Sequence, residues 1–306
     1  MVFKNLKEIE TLSLDEKLKR VGGFKKAPYS KNLFRTNMML NPLKLNHLNQ
    51  IDNLKSDMIT LNLEDAIAPS RKKEALYNIA LFLSNIRESN SFIVIRTNPL
   101  GEGAEEEIEF LNDFGFDAIR VSKVKTKDDI SKALSILSKD KELHISMETK
   151  EAFINLREFR VDNRFTTANI GILDLLNSLN LPQSLLEINN PTIDYILSKF
   201  LLDAHFIGIR ATSFMFQDYN NIKDFKEWCK KEKLMGFSSK ACMGPAQVDI
   251  ANSIFGVSKD EIERAKHIKK VFEDSSSINE NGFMDTKYGF IDEPIYKDAL
   301  LVLDSI

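Results

Sequence analysis

Residues 59–76 read ITLNLEDAIAPSRKKEAL, and the chemistry of this stretch changes near its middle. An apolar run leads through Asn62 to two adjacent carboxylates, Glu64 and Asp65, and then to Pro69 and a group of cations. The apolar run predicts a buried strand, the proline a loop, and the cations the start of a helix. In parallel α/β folds, functional side chains lie where strands end, so further functional residues are expected at the ends of the other strands.

Further apolar, β-rich runs recur along the chain with regular spacing. We predict eight strands in all, at residues 33–40, 57–64, 91–98, 116–123, 143–148, 164–171, 204–210 and 234–242. The segments between them have apolar residues at three- and four-residue intervals, which is typical of amphipathic helices, for example at 70–86, 104–114, 126–140 and 222–233. Eight such units favour an α/β fold of the TIM (β/α)₈ barrel type over an open doubly wound sheet.

The two ends of the chain lie outside these eight units. We expect an N-terminal extension over residues 1–30, the barrel over residues 31–256 and a C-terminal helical extension over residues 257–306. The sequence VSKDEIERAKHIKKVFED at 257–274 predicts a helix in the last of these. Both ends are expected to be appendages of one domain.

Composition and charge narrow the class of protein. The 306 residues are 43% hydrophobic, enough for a large core, and a formal net charge of −3 gives no reason to expect a nucleic-acid partner. Cys229 and Cys242 lack metal-site spacing, the N-terminus lacks a signal-peptide core, and no apolar run is long enough to span a bilayer. We therefore expect a cytoplasmic protein without a membrane partner.

Familiar catalytic motifs do not occur in the sequence. The four histidines, His47, His144, His205 and His267, show no ligand spacing, and the lone GEG at 101–103 is too short for a dinucleotide fingerprint. Walker A, G-x-S-x-G and H-E-x-x-H patterns do not occur either. These absences argue against the commonest nucleotide-dependent, serine-hydrolase and zinc-protease chemistries.

Polar residues at the predicted strand ends form a candidate site, because TIM barrels place their working residues there. They are Glu64, Asp65, Arg96, Asn98, Glu148, Asp174 and Lys240. Acids from separate strands that converge with an arginine suit a divalent cation that holds an anionic substrate. Taken singly, each residue could instead be solvated in a loop, and Asp65 or Asp174 could cap a helix.

Six segments of the chain carry motifs in a fixed order. They are LNLEDAIAPSRKKEA (61–75), IRTNPLG (95–101), METKEAFINLREF (147–159), GILDLLNSLNL (171–181), GFSSKACMGPAQVDIANSIF (236–255) and GFIDEPIYKDALLVL (289–303). In this order they resemble the citrate lyase β-subunit-like branch of the HpcH/HpaI aldolase/citrate lyase superfamily. The resemblance implies a TIM barrel, a homotrimer or dimer of trimers, and reversible carbon–carbon bond cleavage in a 3-hydroxy-acid thioester.

The resemblance also implies roles for the residues at the strand ends. Glu148 and Asp174 match the two protein ligands of the family for Mg²⁺. Arg96 matches the arginine that clamps a substrate carboxylate. Glu64 and Asp65 match acids at the edge of the metal site.

One further acid comes from the last motif. Asp292 matches the aspartate that a neighbouring subunit lends to the active site in the acyl-CoA lyases of this group, where it could exchange a proton with the enolate carbon. The candidate catalytic residues are therefore Glu64, Asp65, Arg96 and Asp292, and the candidate substrate-binding residues are Arg96, Asn98 and Lys240.

The sequence departs from the motifs of this family at three places. Asn62 replaces the first aspartate of L-D-L-E-D, Gly244 replaces the histidine of I-H-P, and Asn177 or Ser178 falls near the second aspartate of the D-L-x-x-D loop. Neither proposed metal ligand is replaced, so the departures question the identity of the substrate more than the binding of metal. The acyl carrier could be coenzyme A or a carrier protein, and a free hydroxy-keto acid is a further option.

Three functions remain open from the sequence. The first is a Mg²⁺-dependent carbon–carbon lyase that acts on a malyl- or citramalyl-type thioester and releases a keto acid. The second is a thioesterase for malyl-type thioesters, in which water attack follows the same chemistry. The third is a catalytically silent barrel used as a binding subunit. This alternative is suggested by Asn62 and Gly244, which depart from the family motifs.

Overall fold

The computed structural model describes residues 1–23, 26–276 and 282–304. The chain divides into two units, one of residues 1–29 and 34–255 and a smaller one of residues 30–33 and 256–306. In the described ranges, no helix combines the length and the apolar character needed to cross a membrane.

Eight parallel strands form a closed barrel in the larger unit, which confirms the predicted TIM barrel. They are β1 (Thr36–Leu40), β2 (Met58–Asn62), β3 (Phe92–Pro99), β4 (Ala118–Ser122), β5 (Glu142–Met147), β6 (Phe165–Ile170), β7 (Arg210–Ser213) and β8 (Ser239–Cys242). Each strand pairs with the next, and β8 pairs with β1 through Thr36 and Lys240, which closes the barrel. Nearly all strand residues are buried, because a barrel strand faces the interior on one side and helices on the other.

Helices occupy the connections between the strands, and further helices precede β1 and follow β8. In this unit they are α1 (Leu6–Glu10), α2 (Leu14–Lys19), α3 (Leu45–Leu48), α4 (Lys72–Leu83), α5 (Ala104–Leu111), α6 (Lys127–Ile136), α7 (Lys150–Asn155), α8 (Ile172–Ser178), α9 (Pro191–Phe206), α10 (Ile222–Met235) and α11 (Pro245–Phe255), with short 3₁₀ helices at Pro69–Arg71, Leu156–Glu158 and Gln183–Leu185. The four helices that the apolar spacing predicts are all present, with ends that differ by a few residues. Helix α2 packs on α4, where buried Lys17 donates a hydrogen bond to Asn78 at 2.8 Å.

The prediction of a strand at 204–210 is wrong. Residues up to Phe206 complete helix α9, and strand β7 begins only at Arg210. The helix starts because the Asn190 side chain accepts backbone N–H groups of its first turn and Pro191 occupies the first helical position. An apolar run at the end of a buried helix resembles a buried strand, and the helix start at Asn190 is the signal that separates the two.

The strand predicted at 234–242 begins too early by several residues. Helix α10 continues to Met235, and Gly236 ends it with a φ of 107°. Glycine adopts this left-handed conformation without steric cost, which makes it a common helix terminator. The strand that follows is therefore limited to Ser239–Cys242.

In its described residues, the smaller unit contains two helices and a hairpin. Its elements are α12 (Lys259–Ser276), β9 (Gly282–Asp285), β10 (Gly289–Asp292) and α13 (Glu293–Asp304), with β9 and β10 antiparallel. Helix α12 matches the helix predicted at 257–274, whereas the sequence pattern gave no hairpin. A small apolar core formed by Ala265, Ile268, Phe272, Ile291 and Ala299 holds the unit together.

The two ends of the barrel interior have different contents. At the amino ends of the strands, an apolar cluster of Met58, Phe92, Val94 and Ala118 packs with Tyr29 and Phe34. At the carboxyl ends, the residues that face inward are mostly polar, among them Asn62, Arg96, Arg120, Ser146 and Asn169. The barrel interior is therefore packed with apolar side chains at its amino end and contains a polar cavity at its carboxyl end.

Candidate active site

A cavity of about 380 Å³ lies at the carboxyl ends of the barrel strands. Its walls are formed by Met39, Asn62, Asp65, Ala66, Arg96, Arg120, Ser146, Glu148, Asn169, Ile170, Gly171, Ile172, Leu173, Asp174, Met215, Gln217, Ala241 and Met243. The volume suits a small molecule. Four of the predicted site residues, Asp65, Arg96, Glu148 and Asp174, line this one cavity.

Arg96 on β3 is the centre of an ionic network. Its Nη2 lies 2.9 Å from Glu64 Oε2, 3.2 Å from Glu148 Oε2 and 3.7 Å from Asp65 Oδ2. Its Nε donates a hydrogen bond of 2.9 Å to Ser122 Oγ, which fixes the plane of the guanidinium. The convergence of acids and an arginine that the sequence predicts is therefore present.

Glu148 follows β5 and is buried against the cavity wall. Its Oε1 accepts the backbone N–H of Lys123 at 2.9 Å. A side chain at position 171 would lie 2.7 Å from Glu148 Oε2, so the carboxylate can occupy this place only because residue 171 is glycine. Burial raises the pKa of Glu148, although the charge of Arg96 opposes the rise. A buried carboxylate that faces a cavity is a favourable place for a cation.

Asp174 lies in the first turn of α8 and is exposed. The N-cap position of this helix is Gly171, so Asp174 is not its capping residue. Mg²⁺ commonly takes one or two carboxylates and fills its remaining positions with water and substrate oxygen. The chemistry of Glu148 and Asp174, two carboxylates on one cavity, therefore fits this ion. No group of three or more histidine, cysteine, aspartate or glutamate ligands occurs in the part of the chain that the structure describes.

The turn after β2 presents Glu64 and Asp65. Asn62 Nδ2 donates a hydrogen bond to the Asp65 carbonyl oxygen, and Glu64 Oε2 accepts the Asp65 N–H at 2.5 Å. Lys123 Nζ lies 3.1 Å from Glu64 Oε1. The position of Asn62, where the family has aspartate, therefore holds the turn together through an amide donor.

The two acids of this turn have opposite pKa shifts. Burial disfavours the charged form of Glu64, but hydrogen bonding with Asp65 and the charge of Arg96 outweigh it and lower the pKa of Glu64. Burial and the neighbouring Glu64 raise the pKa of Asp65 to about 6. Asp65 is thus able to exchange a proton close to neutral pH, whereas Glu64 stays ionised.

Asn98 is predicted as a substrate-binding residue, but it does not line the cavity. Its backbone N–H donates to Glu107 Oε2 at 2.9 Å, its side-chain amide donates to the same carboxylate, and its Oδ1 accepts from Lys72. Burial raises the pKa of Glu107 to about 7. These contacts tie the end of β3 to helices α4 and α5, which is a structural role.

Lys240, the other predicted substrate-binding residue at a strand end, also lies away from the cavity. It is fully buried, its Nζ lies 2.7 Å from Glu232 Oε1, and the ammonium sits 3.6 Å from the centre of the Phe214 ring. The next residue, Ala241, lines the cavity instead. Because successive strand residues face opposite sides, Lys240 points into the helical layer, where it pairs with α10.

Asp292 lies in the smaller unit at the end of β10. Its Oδ1 accepts the backbone N–H of Ile295 at 3.2 Å, which caps the first turn of α13. This capping contact does not conflict with the predicted role of Asp292 in the active site of a neighbouring subunit, and that role stays a prediction.

A sequence model of the HpcH/HpaI aldolase/citrate lyase family matches residues 37–245. The chain belongs to this family. It is 27% identical over 243 residues to a (3S)-malyl-CoA thioesterase of Cereibacter sphaeroides, with 79% of this chain and 84% of that protein covered. It is 23% identical over 262 residues to citrate lyase subunit beta of Haemophilus influenzae, with 82% of this chain and 89% of that protein covered.

A solved structure from the same group shares the fold. Protein CitE of Mycobacterium tuberculosis, in complex with magnesium, acetoacetate and coenzyme A, matches with a TM-score of 0.70 at 16% identity, over 89% of this chain and 98% of that chain. This likeness supports the barrel assignment, and the motifs support membership of the citrate lyase β-like branch of the HpcH/HpaI aldolase/citrate lyase family.

Arg120 is a charged residue of the cavity that the strand-end pattern does not predict. It lies in the middle of β4, directly opposite Arg96 in the strand register, and its side chain lines the cavity. Burial and the neighbouring charge of Arg96 lower the pKa of Arg120 to about 9. The sequence signal for Arg120 is an arginine inside the buried strand AIRVS, where an unpaired charge is unfavourable, whereas the strand-end pattern covers only the last residues of each strand.

The structure also accounts for two departures from the HpcH/HpaI family motifs. A side chain at Gly244 would lie 2.9 Å from Tyr219 Cε2, so the tyrosine ring occupies the space that the histidine of the family would need. Ser178 Oγ accepts the backbone N–H of Lys150 at 2.9 Å, which ties the end of α8 to the start of α7. In this chain both positions therefore have structural contacts, and Glu148 and Asp174 still line the cavity.

Proposed function

We propose that the protein is a Mg²⁺-dependent carbon–carbon lyase that cleaves a malyl- or citramalyl-type thioester and releases a keto acid. The observation that carries this proposal is that Glu148 and Asp174 line one cavity, with Arg96 held against Glu148. Membership of the HpcH/HpaI family and the relative named citrate lyase subunit beta support it.

Glu148 and Asp174 would hold the Mg²⁺ ion, which supplies Lewis-acid polarisation of an oxygen when it is bound. Arg96 neutralises Glu148 at present. A cation beside Glu148 would take over that neutralisation, and Arg96, which Glu64 and Ser122 still hold, would turn its remaining N–H groups to a substrate carboxylate. Arg96 would then orient the substrate for bond cleavage.

Glu64 and Asp65 act as a pair at the rim of the cavity. Glu64 stays ionised, because hydrogen bonding and Arg96 stabilise its charge, and together with Ser122 it keeps Arg96 in place. Asp65, with its pKa of about 6, is the group that takes or returns a proton at its carboxyl oxygen near neutral pH. This division of labour follows from the opposite pKa shifts of the two acids.

The proposal includes a homotrimer or dimer of trimers in which Asp292 serves the site of a neighbouring subunit. Light scattering measures the oligomeric state directly. A sharper test mixes two variants, Asp292→Asn and Glu148→Gln, each inactive alone. Mixed oligomers regain activity if each site draws Glu148 and Asp292 from different chains, whereas verified mixed oligomers without activity would contradict the sharing.

The lyase reaction itself is tested with a panel of malyl- and citramalyl-thioesters, carried by coenzyme A and by a carrier protein. We expect release of a keto acid that stops in excess chelator and returns when Mg²⁺ is added. Unchanged activity in chelator would contradict the metal dependence. Turnover on only one carrier would identify the acyl carrier.

A thioesterase is the second candidate, and the relative named (3S)-malyl-CoA thioesterase favours it. Product analysis separates the two functions. A lyase releases a keto acid and a shortened thioester, whereas a thioesterase releases the intact hydroxy acid and a free thiol. The silent-barrel alternative predicts neither product from any member of the panel.

A further inference from the structure

Lys123 directly follows strand β4 and has an unusual backbone conformation. Its φ is 52°, in the left-handed region, where glycine and asparagine are common and other residues are rare. The other non-glycine residues with a positive φ in the described part of the chain are Ala66, Asn180 and Asn189. Ala66 lines the cavity as well. A lysine in this conformation indicates that its contacts outweigh the steric cost.

Lys123 contacts two acids of the site through different parts of the residue. Its backbone N–H donates to Glu148 Oε1 at 2.9 Å, and its Nζ lies 3.1 Å from Glu64 Oε1. Both carboxylates are buried, whereas the Lys123 side chain is 43% exposed. A backbone N–H and a side chain leave the same residue in different directions, so both contacts together restrict the backbone angles that position 123 can adopt.

These contacts divide the oxygens of the two acids between Lys123 and Arg96. Oε1 of each acid lies beside Lys123. Oε2 of Glu64 lies 2.9 Å from Arg96 Nη2, and Oε2 of Glu148 lies 3.2 Å from it. Glu64 Oε1 is buried and accepts no hydrogen bond from the described residues, so the Lys123 ammonium compensates its charge there. The same contact raises the pKa of Lys123, which therefore stays charged.

We infer that Lys123 is a positioning residue, which holds one oxygen of Glu64 and thereby leaves Arg96 available to a substrate carboxylate. The inference rests on the proposed function for the role of Arg96. Without the ammonium, Glu64 would depend on Arg96 for the compensation of its whole charge. Arg96 would then bind a substrate carboxylate more weakly, although both proposed metal ligands would be intact.

Equilibrium binding of pyruvate, a keto acid with one carboxylate, tests this role without turnover. Calorimetry measures Mg²⁺ alone and then pyruvate at saturating Mg²⁺. Lys123→Asn removes the ammonium and introduces a residue that tolerates the left-handed region. We expect pyruvate to bind about 10-fold more weakly, which corresponds to about 1.4 kcal/mol. Mg²⁺ should bind as tightly as before or more tightly, because a nearby positive charge is lost.

The same loop offers a matched control. Lys125→Asn removes an equal charge from an exposed position of the segment between β4 and α6, and it should leave both affinities unchanged. Lys123→Arg keeps the positive charge and should restore most of the pyruvate affinity. Lys123→Gly serves if Lys123→Asn does not fold. In Lys123→Gly, methylammonium should restore part of the pyruvate affinity, whereas sodium at the same ionic strength should not.

Steady-state kinetics gives a second readout. Because the carboxylate is bound in the ground state and in the transition state alike, KM should rise about 10-fold in Lys123→Asn while kcat changes little. A residue that only supports the loop would instead lower the stability to urea and leave the affinity per folded molecule unchanged, which would overturn the inference. Unchanged pyruvate affinity in Lys123→Asn, or a Mg²⁺ affinity that falls as much as that for pyruvate, would also overturn it.

The inference and the proposed function can fail separately. Pyruvate binding that depends on Lys123, in a protein without lyase activity, would reject the proposed reaction alone. A lyase whose KM does not depend on Lys123 would reject the inference alone. A protein that binds neither Mg²⁺ nor pyruvate would reject both.

Discussion

Both ends of the barrel contain clustered charged groups, but they arrange them differently. At the amino end, Glu142 receives Arg210 Nη2 at 2.7 Å, His144 Nε2 at 3.3 Å and the hydroxyl of Thr166, and the Phe92 ring stacks on His144. The cavity end instead has three acids around Arg96, and Arg120 Nε has no hydrogen-bond partner among the described residues. The polar groups at the amino end contact one another, and we call it the closed end. The carboxyl end has a cavity that a ligand can enter, and we call it the open end.

The pKa shifts of two glutamates express this difference. Burial disfavours the charged form of both Glu142 and Glu148. At Glu142 the His144 hydrogen bond and charge, with Arg210 and Thr166, outweigh burial and lower the pKa to about 2. At Glu148 burial prevails over Arg96 and the pKa is raised. A carboxylate of the first kind stabilises the fold, whereas one of the second kind costs stability until a cation binds.

The largest expected effect comes from exchanging these two glutamates for glutamine. Glu148→Gln removes a proposed metal ligand, so activity should fall on the order of 10³-fold, a loss of about 4 kcal/mol in transition-state stabilisation. Its stability should stay equal or rise, because the uncharged amide avoids the burial cost. Activity is measured as keto-acid release and stability by urea unfolding.

Glu142→Gln is the matched control for that experiment. It removes a carboxylate that Arg210 and His144 satisfy, so unfolding stability should fall by about 1 to 3 kcal/mol while activity per folded molecule is retained. The opposite result, with activity lost in Glu142→Gln and stability lost in Glu148→Gln, would contradict the assignment of a stabilising role to the amino end and a binding role to the cavity end.

The buried pair of Lys240 and Glu232 extends the comparison to the helical layer. Lys240→Met leaves Glu232 buried and unpaired, and unfolding stability should fall by about 3 kcal/mol or more. The double variant with Glu232→Leu should recover much of the loss, because removing both charges avoids the uncompensated one. A raised KM in a folded Lys240→Met protein would instead support the substrate-binding role that the sequence predicts.

His144 gives the amino end a pH dependence. Burial disfavours the imidazolium and lowers the pKa of His144 from an ordinary 6.5 to about 4, although Glu142 opposes this. The unfolded chain takes up this proton as pH falls below the ordinary value, and the folded chain does so only near the lower one. Stability should therefore decline by about 3 kcal/mol as pH falls through this window.

His144→Gln tests this pH dependence, since glutamine can still donate to Glu142 but does not titrate. We compare the slopes of unfolding free energy against pH, because the loss of stacking on Phe92 lowers stability at every pH. The variant should lack the decline between the two pKa values of His144. Parallel slopes in both proteins would show that this histidine is not the source.

The sequence predicts the fold well because strand and helix periodicities report which side of each element is apolar. It predicts Glu148 and Asp174 because both belong to motifs with a fixed order. It does not predict the direction of a side chain at a strand end, since a shift of one residue turns the side chain to the opposite face. Lys240 was therefore assigned to the cavity that its neighbour Ala241 lines.

Arg120 shows why the sequence does not predict which residues in the middle of a strand reach the cavity. A residue in the middle of a strand reaches the cavity only if the barrel floor lies at its level, and this depends on the register of β3, β4 and β5. That register is set by packing across the whole barrel and is not encoded in the local pattern. Contacts such as the Tyr219 ring over Gly244 join distant loops and depend on tertiary structure in the same way.

The smallest expected effect concerns Asn62, which belongs to the open end but is satisfied like the groups of the closed one. Asn62→Asp replaces the donor to the Asp65 carbonyl with a second acceptor beside Glu64 and Asp65, so stability should fall by about 1 to 2 kcal/mol. Asn62→Leu loses the donor without adding a charge, so the difference between the variants measures the repulsion. If Asn62→Asp keeps the stability of the unmodified protein and changes its substrate preference instead, position 62 acts on the substrate and the turn is held by other contacts.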